Sequence, residues 1–160
     1  MPTSKDGPIA GDGAISQELD YQYNVFRGEM MKFNALIPEF TVTNIECTKQ
    51  FYVSILGFKL EYERVNEKFI FLSYGESQFM FEEIHSEGWN VDMLEYPFGR
   101  GINFSIACND VGQLYEVVKN NKVQIYRELK ETLYLCNGSK EIQKEFLIQD
   151  PDGYLLRFTE

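Results

Sequence analysis

One imidazole, three thiols and a few carboxylates are the groups in this chain whose chemistry could define a function. His85 is the only histidine, which removes every zinc site built on two imidazoles, every His-x-Glu deaminase pattern and every facial triad with two histidines. A Ser-His-Asp relay would have to use His85 itself. That residue stands between a strand-like run and a Gly88-Trp89 loop, with no nucleophile-elbow sequence anywhere, so it reads as an exposed loop residue. Cys47, Cys108 and Cys136 lie far apart and form no C-x-x-C pair. An odd count at this spacing is a poor disulfide framework and reads as reduced thiols in a cytoplasmic protein. No glycine-rich phosphate cradle occurs. Carboxylates remain, and Glu39 with Glu82 would suit paired acid–base work if the fold brings them together.

Charge narrows the partners. The 160 residues carry 15 basic and 25 acidic side chains, a formal charge of -10, which repels a phosphate backbone and favours a cationic partner over nucleic acid. With 44% hydrophobic and 25% charged residues, the composition is that of one globular domain or two very small ones. No apolar run approaches the roughly 18 residues of a membrane span, so no membrane partner is expected. Residues 1–30 hold Lys5 and Arg27 against Asp6, Asp12, Glu18, Asp20 and Glu29, with few aliphatics and no signal-peptide core. They read as a polar leader, either flexible or appended, or laid through Tyr21, Tyr23 and Phe26 on the domain surface. A cytoplasmic location is expected, and Asn137-Gly138-Ser139 is then a turn rather than a glycan site.

The elements that must position these groups occur twice. The run Phe33 to Val42 is strand-like, and Thr43-Asn44-Ile45-Glu46 has the spacing of a capping box, with Thr43 able to cap an amide while Glu46 reaches back. Phe51, Tyr52, Ile55 and Leu56 give the following helix an apolar face, and Gly57 is a natural C′ terminator. Strands are expected at Phe58 to Val65, Lys68 to Tyr74 and Gln78 to Ile84. The order then repeats: a strand from Gly101 to Cys108, a cap at Asp110, and a helix with Val111, Leu114, Tyr115 and Val118 on one face. A strand beginning at Val123 to Arg127, a hairpin turn at Asn137-Gly138, a strand at Glu145 to Gln149, the Asp150-Pro151-Asp152-Gly153 turn and a last strand through Phe158 complete it. Both halves read β-α-β-β-β, with Asn44 and Asp110 as the matching caps, a duplicated module.

The opening IPEFTVTNIECTKQFYVSILGFKLEYE and the closing FLIQDPDGYLLRF resemble the vicinal oxygen chelate superfamily, which includes glyoxalase I, extradiol dioxygenases, fosfomycin resistance enzymes and bleomycin resistance proteins. The resemblance covers about Lys32 to Thr159. It implies an α+β fold in which βαβββ modules at 31–85 and 101–160, joined by a linker at 86–100, make one domain whose eight mixed strands enclose a cleft. The family's enzymes place metal ligands on the first and last strands of modules. Aligned on caps and turns, those positions fall here on Ile37, on Met80 with Glu82 within one or two residues, on Asn103 and on Arg157. An aliphatic, a thioether, a neutral amide and a guanidinium cannot assemble a divalent site.

The resemblance therefore implies no metal, no catalytic residue and no cofactor. It points toward the bleomycin resistance branch: an antibiotic-binding protein, serving antibiotic resistance, that sequesters a cationic, partly planar small molecule of the bleomycin type in the clefts of a homodimer. The alternative is an enzyme of the same fold, a glyoxalase-like lyase or dioxygenase, with its metal at other residues or with Glu82 or Glu39 as a metal-free base.

Strand parity sorts the cleft face from the core face. Phe40 and Val42, Phe79 and Phe81, Phe104 and Ile106, and Leu156 and Phe158 form the apolar sets. The opposite sets contribute Ile37, Glu39, Met80, Glu82, Asn103, Ser105 and Arg157, which with Trp89 and Phe98 from the linker are the expected ligand-binding residues. They offer carboxylates for a cation, directional polar groups and aromatic faces for a planar ring. Trp89 and Phe98 could equally pack the linker onto the domain or into a dimer interface.

Overall fold

Backbone donors decide where the first strand begins. Of the strand-like run from Phe33, only Glu39–Val42 is a strand (β1), because Pro38 has no N–H to give a ladder, although its carbonyl accepts from the Met80 amide at 2.9 Å. The computed structural model describes residues 31–160, so the leader expected at 1–30 lies outside the described residues. Residues 34–160 form one compact unit.

The first helix starts at Asn44, not Thr43. Asn44 Oδ1 accepts from the Cys47 amide at 2.9 Å, which caps α1 (Ile45–Lys49). Thr43 is drawn elsewhere, giving both its amide (3.0 Å) and its hydroxyl (2.6 Å) to Asp152 Oδ1 across the domain. The α1 chain then widens into a π-helical stretch at Gln50–Ile55, closed by Leu56 N–H on the Phe51 carbonyl at 3.1 Å. This wider turn places two consecutive aromatics, Phe51 and Tyr52, in the core. Gly57 ends it at φ +79°, a left-handed conformation that only glycine adopts freely.

Strands β2 (Lys59–Arg64), β3 (Phe69–Tyr74) and β4 (Ser77–Glu83) complete the first module, in sheet order β1-β4-β3-β2. The second contains β5 (Asn103–Ala107), α2 (Val111–Asn120), β6 (Ile125–Cys136), β7 (Ser139–Gln149) and β8 (Leu155–Thr159), in sheet order β5-β8-β7-β6. In each sheet the first and last strands pair in parallel and the remaining pairs are antiparallel. This is an α+β fold of two βαβββ modules. Asp110 caps α2 by accepting from the Gln113 amide at 2.8 Å, and Val111, Leu114, Tyr115 and Val118 are its buried residues, as the spacing predicts. The β6–β7 hairpin turns on Asn137-Gly138, both left-handed, and is longer than expected. Its segment from Glu128 to Lys144 mixes charges with apolar residues and carries no clean alternation.

The core joins the modules. Phe40 contacts Phe81 of its own sheet at 5.0 Å between ring centroids, and Phe104 and Tyr154 of the second module at 4.5 Å each. Tyr154 sends its hydroxyl to the Thr41 carbonyl at 3.0 Å. Burial, and then the nearby Asp150 and Asp152, push that phenol up to about 12. Tyr52, fully buried, donates to Asp150 Oδ2 at 2.9 Å, while Asp150 Oδ1 accepts from the Asp152 and Tyr154 amides at 3.0 and 2.8 Å. One turn at 150–153 thus holds the first module's helix, its entry loop and the start of β8.

Gly153 closes that turn at φ +87°, and a Cβ there would meet Pro97 Cβ at 2.4 Å and Pro97 Cα at 2.7 Å. Gly153→Ala is expected to cost about 1–3 kcal/mol through left-handed strain and overpacking. Urea unfolding measures it, and an unchanged midpoint would show that the linker yields freely.

Candidate ligand-binding site

The strand registers lay out two polar faces, one on each sheet, opposite the helices. On the first sheet, one row across the strands runs Glu39, Met80, Phe71, Tyr62, and the next runs Thr41, Glu82, Phe69, Arg64. Three expected residues, Glu39, Met80 and Glu82, are therefore neighbours. Partial burial, then the Glu82 charge, raise the Glu39 carboxyl above its ordinary range, while Arg64 opposes them. Glu82 Oε2 also lies 3.3 Å from His85 Nε2. Ile37 stands outside β1, separated from it by Pro38.

Aromatic residues fill the rest of this face, Phe69 and Phe71 among them buried. Tyr62 stacks on Phe71 at 5.2 Å with an 8° interplanar angle and on Phe69 at 5.9 Å. The Arg64 guanidinium sits 3.9 Å over the Phe69 ring, a cation–π contact. Sequence reasoning missed these four residues because β3 reads FIFLSY, so that parity carries no signal for Phe69 and Phe71, and because a register shift between Leu60 and Tyr62 breaks the alternation of β2.

The linker divides the two aromatics assigned to it. Asn90 Oδ1 accepts from the Thr41 hydroxyl at 2.6 Å, anchoring the chain beside the carboxylates, and the adjoining Trp89 is 95% exposed. Phe98 goes the other way. It is 7% exposed and meets Tyr154 edge-on at 6.1 Å, so instead of lining a cleft it packs the linker onto the core, where its burial is more favourable.

On the second sheet Ser105 pairs with Arg157, which pairs with Leu147, and Asn103 pairs with Leu155 one row away. Arg157 NH1 lies 3.6 Å from Glu145 Oε2, and Glu145 Oε1 accepts from the Tyr134 hydroxyl at 2.8 Å. Glu145 and Tyr134 were not foreseen. A buried carboxylate inside KEFLIQ looks like an exposed strand residue until its partners are placed. A separate groove of about 730 Å³ opens between the modules, lined among others by Lys59, Glu61, Ser73, Tyr74, Cys108 and Gln113, with the Tyr74 hydroxyl 3.2 Å from Cys108 Sγ.

The residues present do not fit a divalent metal. Ile37, Met80, Asn103 and Arg157 stand where the resemblance puts ligands, and Arg157 is an ion-paired cation. Among the described residues no group of three or more His, Cys, Asp or Glu side chains could hold a metal ion, and no helix is long and apolar enough to cross a membrane.

Comparison with known proteins agrees with the fold. No curated protein matches the chain. It is similar to a solved glyoxalase/bleomycin resistance protein/dioxygenase superfamily member from Vibrio splendidus 12B01, at 34% identity over 76% of this chain and 93% of that one, with a TM-score of 0.35. A glyoxalase/bleomycin resistance protein/dioxygenase from Alicyclobacillus acidocaldarius is 24% identical over 81% and 93% of the two chains, with a TM-score of 0.55. TioX from Micromonospora sp. ML1 is 17% identical over 80% and 98%, with a TM-score of 0.61, a likeness of fold alone. A family model described as the Glyoxalase/Bleomycin resistance protein/Dioxygenase superfamily matches residues 35–158, and the chain belongs to that superfamily.

Proposed function

We propose that this chain is a metal-independent small-molecule-binding protein that sequesters a cationic, partly planar ligand, with a bleomycin-type antibiotic as the first compound to test. What carries the reading is that Ile37, Met80, Asn103 and Arg157 stand where the resemblance puts the family's metal ligands, while two neighbouring carboxylates, Glu39 and Glu82, lie on the first sheet's polar face. Carboxylates attract a cation, and the exposed indole of Trp89, next in the chain to the Asn90 that bonds Thr41, would offer a planar ring a stacking partner worth roughly 0.5–1.5 kcal/mol beyond burial. The formal charge of -10 adds long-range steering of cations at low salt. Because the Glu39 and Arg157 groups lie on different sheets, and Trp89, Val91 and Met93 are exposed apolar residues of the linker, the reading includes a homodimer in which a second copy completes each cleft, in the cytoplasm.

Trp89 is the chain's one tryptophan, so its fluorescence reports on this face without labelling. Titration with metal-free bleomycin is expected to change the emission saturably at micromolar drug. Glu39→Gln with Glu82→Gln should weaken the response at least tenfold. An emission unchanged at 100-fold excess over a micromolar protein sample, on the order of 0.1 mM drug, would remove bleomycin from the reading.

The Glu82–His85 contact favours one second reading, a metal-free enzyme of this fold with Glu82 or Glu39 as general base. It requires turnover of the bound compound. Recovery of the ligand chemically unchanged after prolonged incubation separates sequestration from that chemistry.

A further inference from the structure

Among the described residues, Glu145 Oε2 and Arg157 Nε are buried side-chain atoms with no hydrogen-bond partner, and Thr132 Oγ1 is buried with none beyond the Tyr134 hydroxyl. They lie on three adjacent strands, β6, β7 and β8. Glu145 and Arg157 are on the sheet face opposite the helices, and Tyr134, two residues from Thr132 on β6, hydrogen-bonds Glu145 from the same side. A buried donor or acceptor left unpaired costs about 1–3 kcal/mol, so a donor and an acceptor left so on neighbouring strands mark a site built for another group. Glu145 is 3% exposed, and its contact to Arg157 NH1 at 3.6 Å is an ion pair too long to be a hydrogen bond.

The chemistry of the three atoms selects the missing group. Arg157 Nε–H can only donate, Glu145 Oε2 as a carboxylate can only accept, and the Thr132 hydroxyl can do either. Guanidinium and carboxylate cancel in charge, so neither a cation nor an anion gains from the pair as a whole. A carbonyl beside an N–H satisfies both. We propose that Thr132, Glu145 and Arg157, with Tyr134 holding Glu145 in place, form a subsite for a neutral carboxamide or urea group of a ligand, its oxygen on Arg157 Nε and its N–H on Glu145 Oε2. Arg157 is the movable member, with a side chain 30% exposed against 4% for Glu145, and its single long contact to Glu145 is readily opened to admit the group.

The inference rests on the reading above only in taking the second sheet's polar face as ligand-facing. The two fail separately, because cation binding is assigned to Glu39 and Glu82 on the other sheet. The test is titration of the intact, arginine-¹⁵N-labelled protein with acetamide, following the Nε–Hε signal of Arg157, assigned by its loss in Arg157→Lys. Acetate and methylammonium at equal concentration are the charged controls.

Acetamide is expected to shift that signal saturably in the millimolar range, the scale for so small a fragment, with each ion at least fivefold weaker. Glu145→Gln should weaken the acetamide response at least fivefold, and Thr132→Val should also weaken it if Glu145→Gln fails to fold. Three results overturn the assignment: no saturable shift, an equal shift with acetate, or a response indifferent to the variants. The first would leave the three atoms to a fixed water alone.

Discussion

Phe40→Ala is expected to lower stability by about 3–5 kcal/mol, the cost of deleting a buried aromatic whose surroundings cannot collapse into its place. Phe40 is 1% exposed, and its ring meets Phe79, Phe81, Phe104 and Tyr154 with centroids 5.9, 5.0, 4.5 and 4.5 Å away. Two of these belong to each module, so the cavity would open at the seam between them. The neighbouring Glu39 and Thr41 point to the opposite face, and the loss should therefore reach the candidate site as a looser β1. Phe104→Ala, at a partly exposed ring in the same cluster, should cost less. Chemical denaturation of both variants measures this, and a Phe40→Ala loss under about 1 kcal/mol would mean that the modules do not share a core.

Stability is also expected to fall as pH rises from about 4 to about 7 because of one group, Asp150. Its burial, partly offset by the Tyr52 hydroxyl and two backbone amides, lifts the carboxyl from 3.8 to about 7. Between those values the folded protein holds a proton that the unfolded chain has released. The stability linked to that proton is complete below the unfolded value and is lost as pH passes through the folded one, a change on the order of 4 kcal/mol. Glu83 and Glu160 act in the opposite sense. The Lys68 ammonium on Glu83 and the Val111 amide on Glu160 hold these carboxyls low, so their contributions are present above the ordinary carboxylate value and lost as pH falls.

The difference between wild type and Asp150→Asn removes those terms. It should favour wild type more at pH 4 than at pH 8 by most of that amount. A difference independent of pH would show that Asp150 is ionised in the fold throughout.

How far the sequence discloses this molecule depends on where its signals are local. The α2 face and its Asp110 cap, the Asn137-Gly138 turn and the alternation of Phe40 and Val42 with Glu39 and Thr41 are written within a few residues each, and the folded chain keeps them. Thr43 shows the limit: the capping-box spacing gives it an amide to cap, yet a carboxylate from the far end of the chain claims it, and Asn44 is the cap. The site divides the same way. Glu39, Met80 and Glu82 follow from parity once β1 and β4 are known to be adjacent. Phe69 and Phe71 are hidden because β3 is apolar on both faces, Phe98 is a linker residue that the core claims, and Glu145 is recognisable only after β6 and β8 are laid beside β7.

The polar face holding Glu39 and Glu82 is expected to bind a cationic, partly planar compound without a metal. Calorimetric titration of chelator-treated protein with metal-free bleomycin measures this, beside the Glu39→Gln, Glu82→Gln double variant. Saturable heat at micromolar drug, undiminished by metal removal and at least tenfold weaker in the double variant, is the expected result. No heat at micromolar drug, or binding that appears only when a divalent ion is restored, would contradict it.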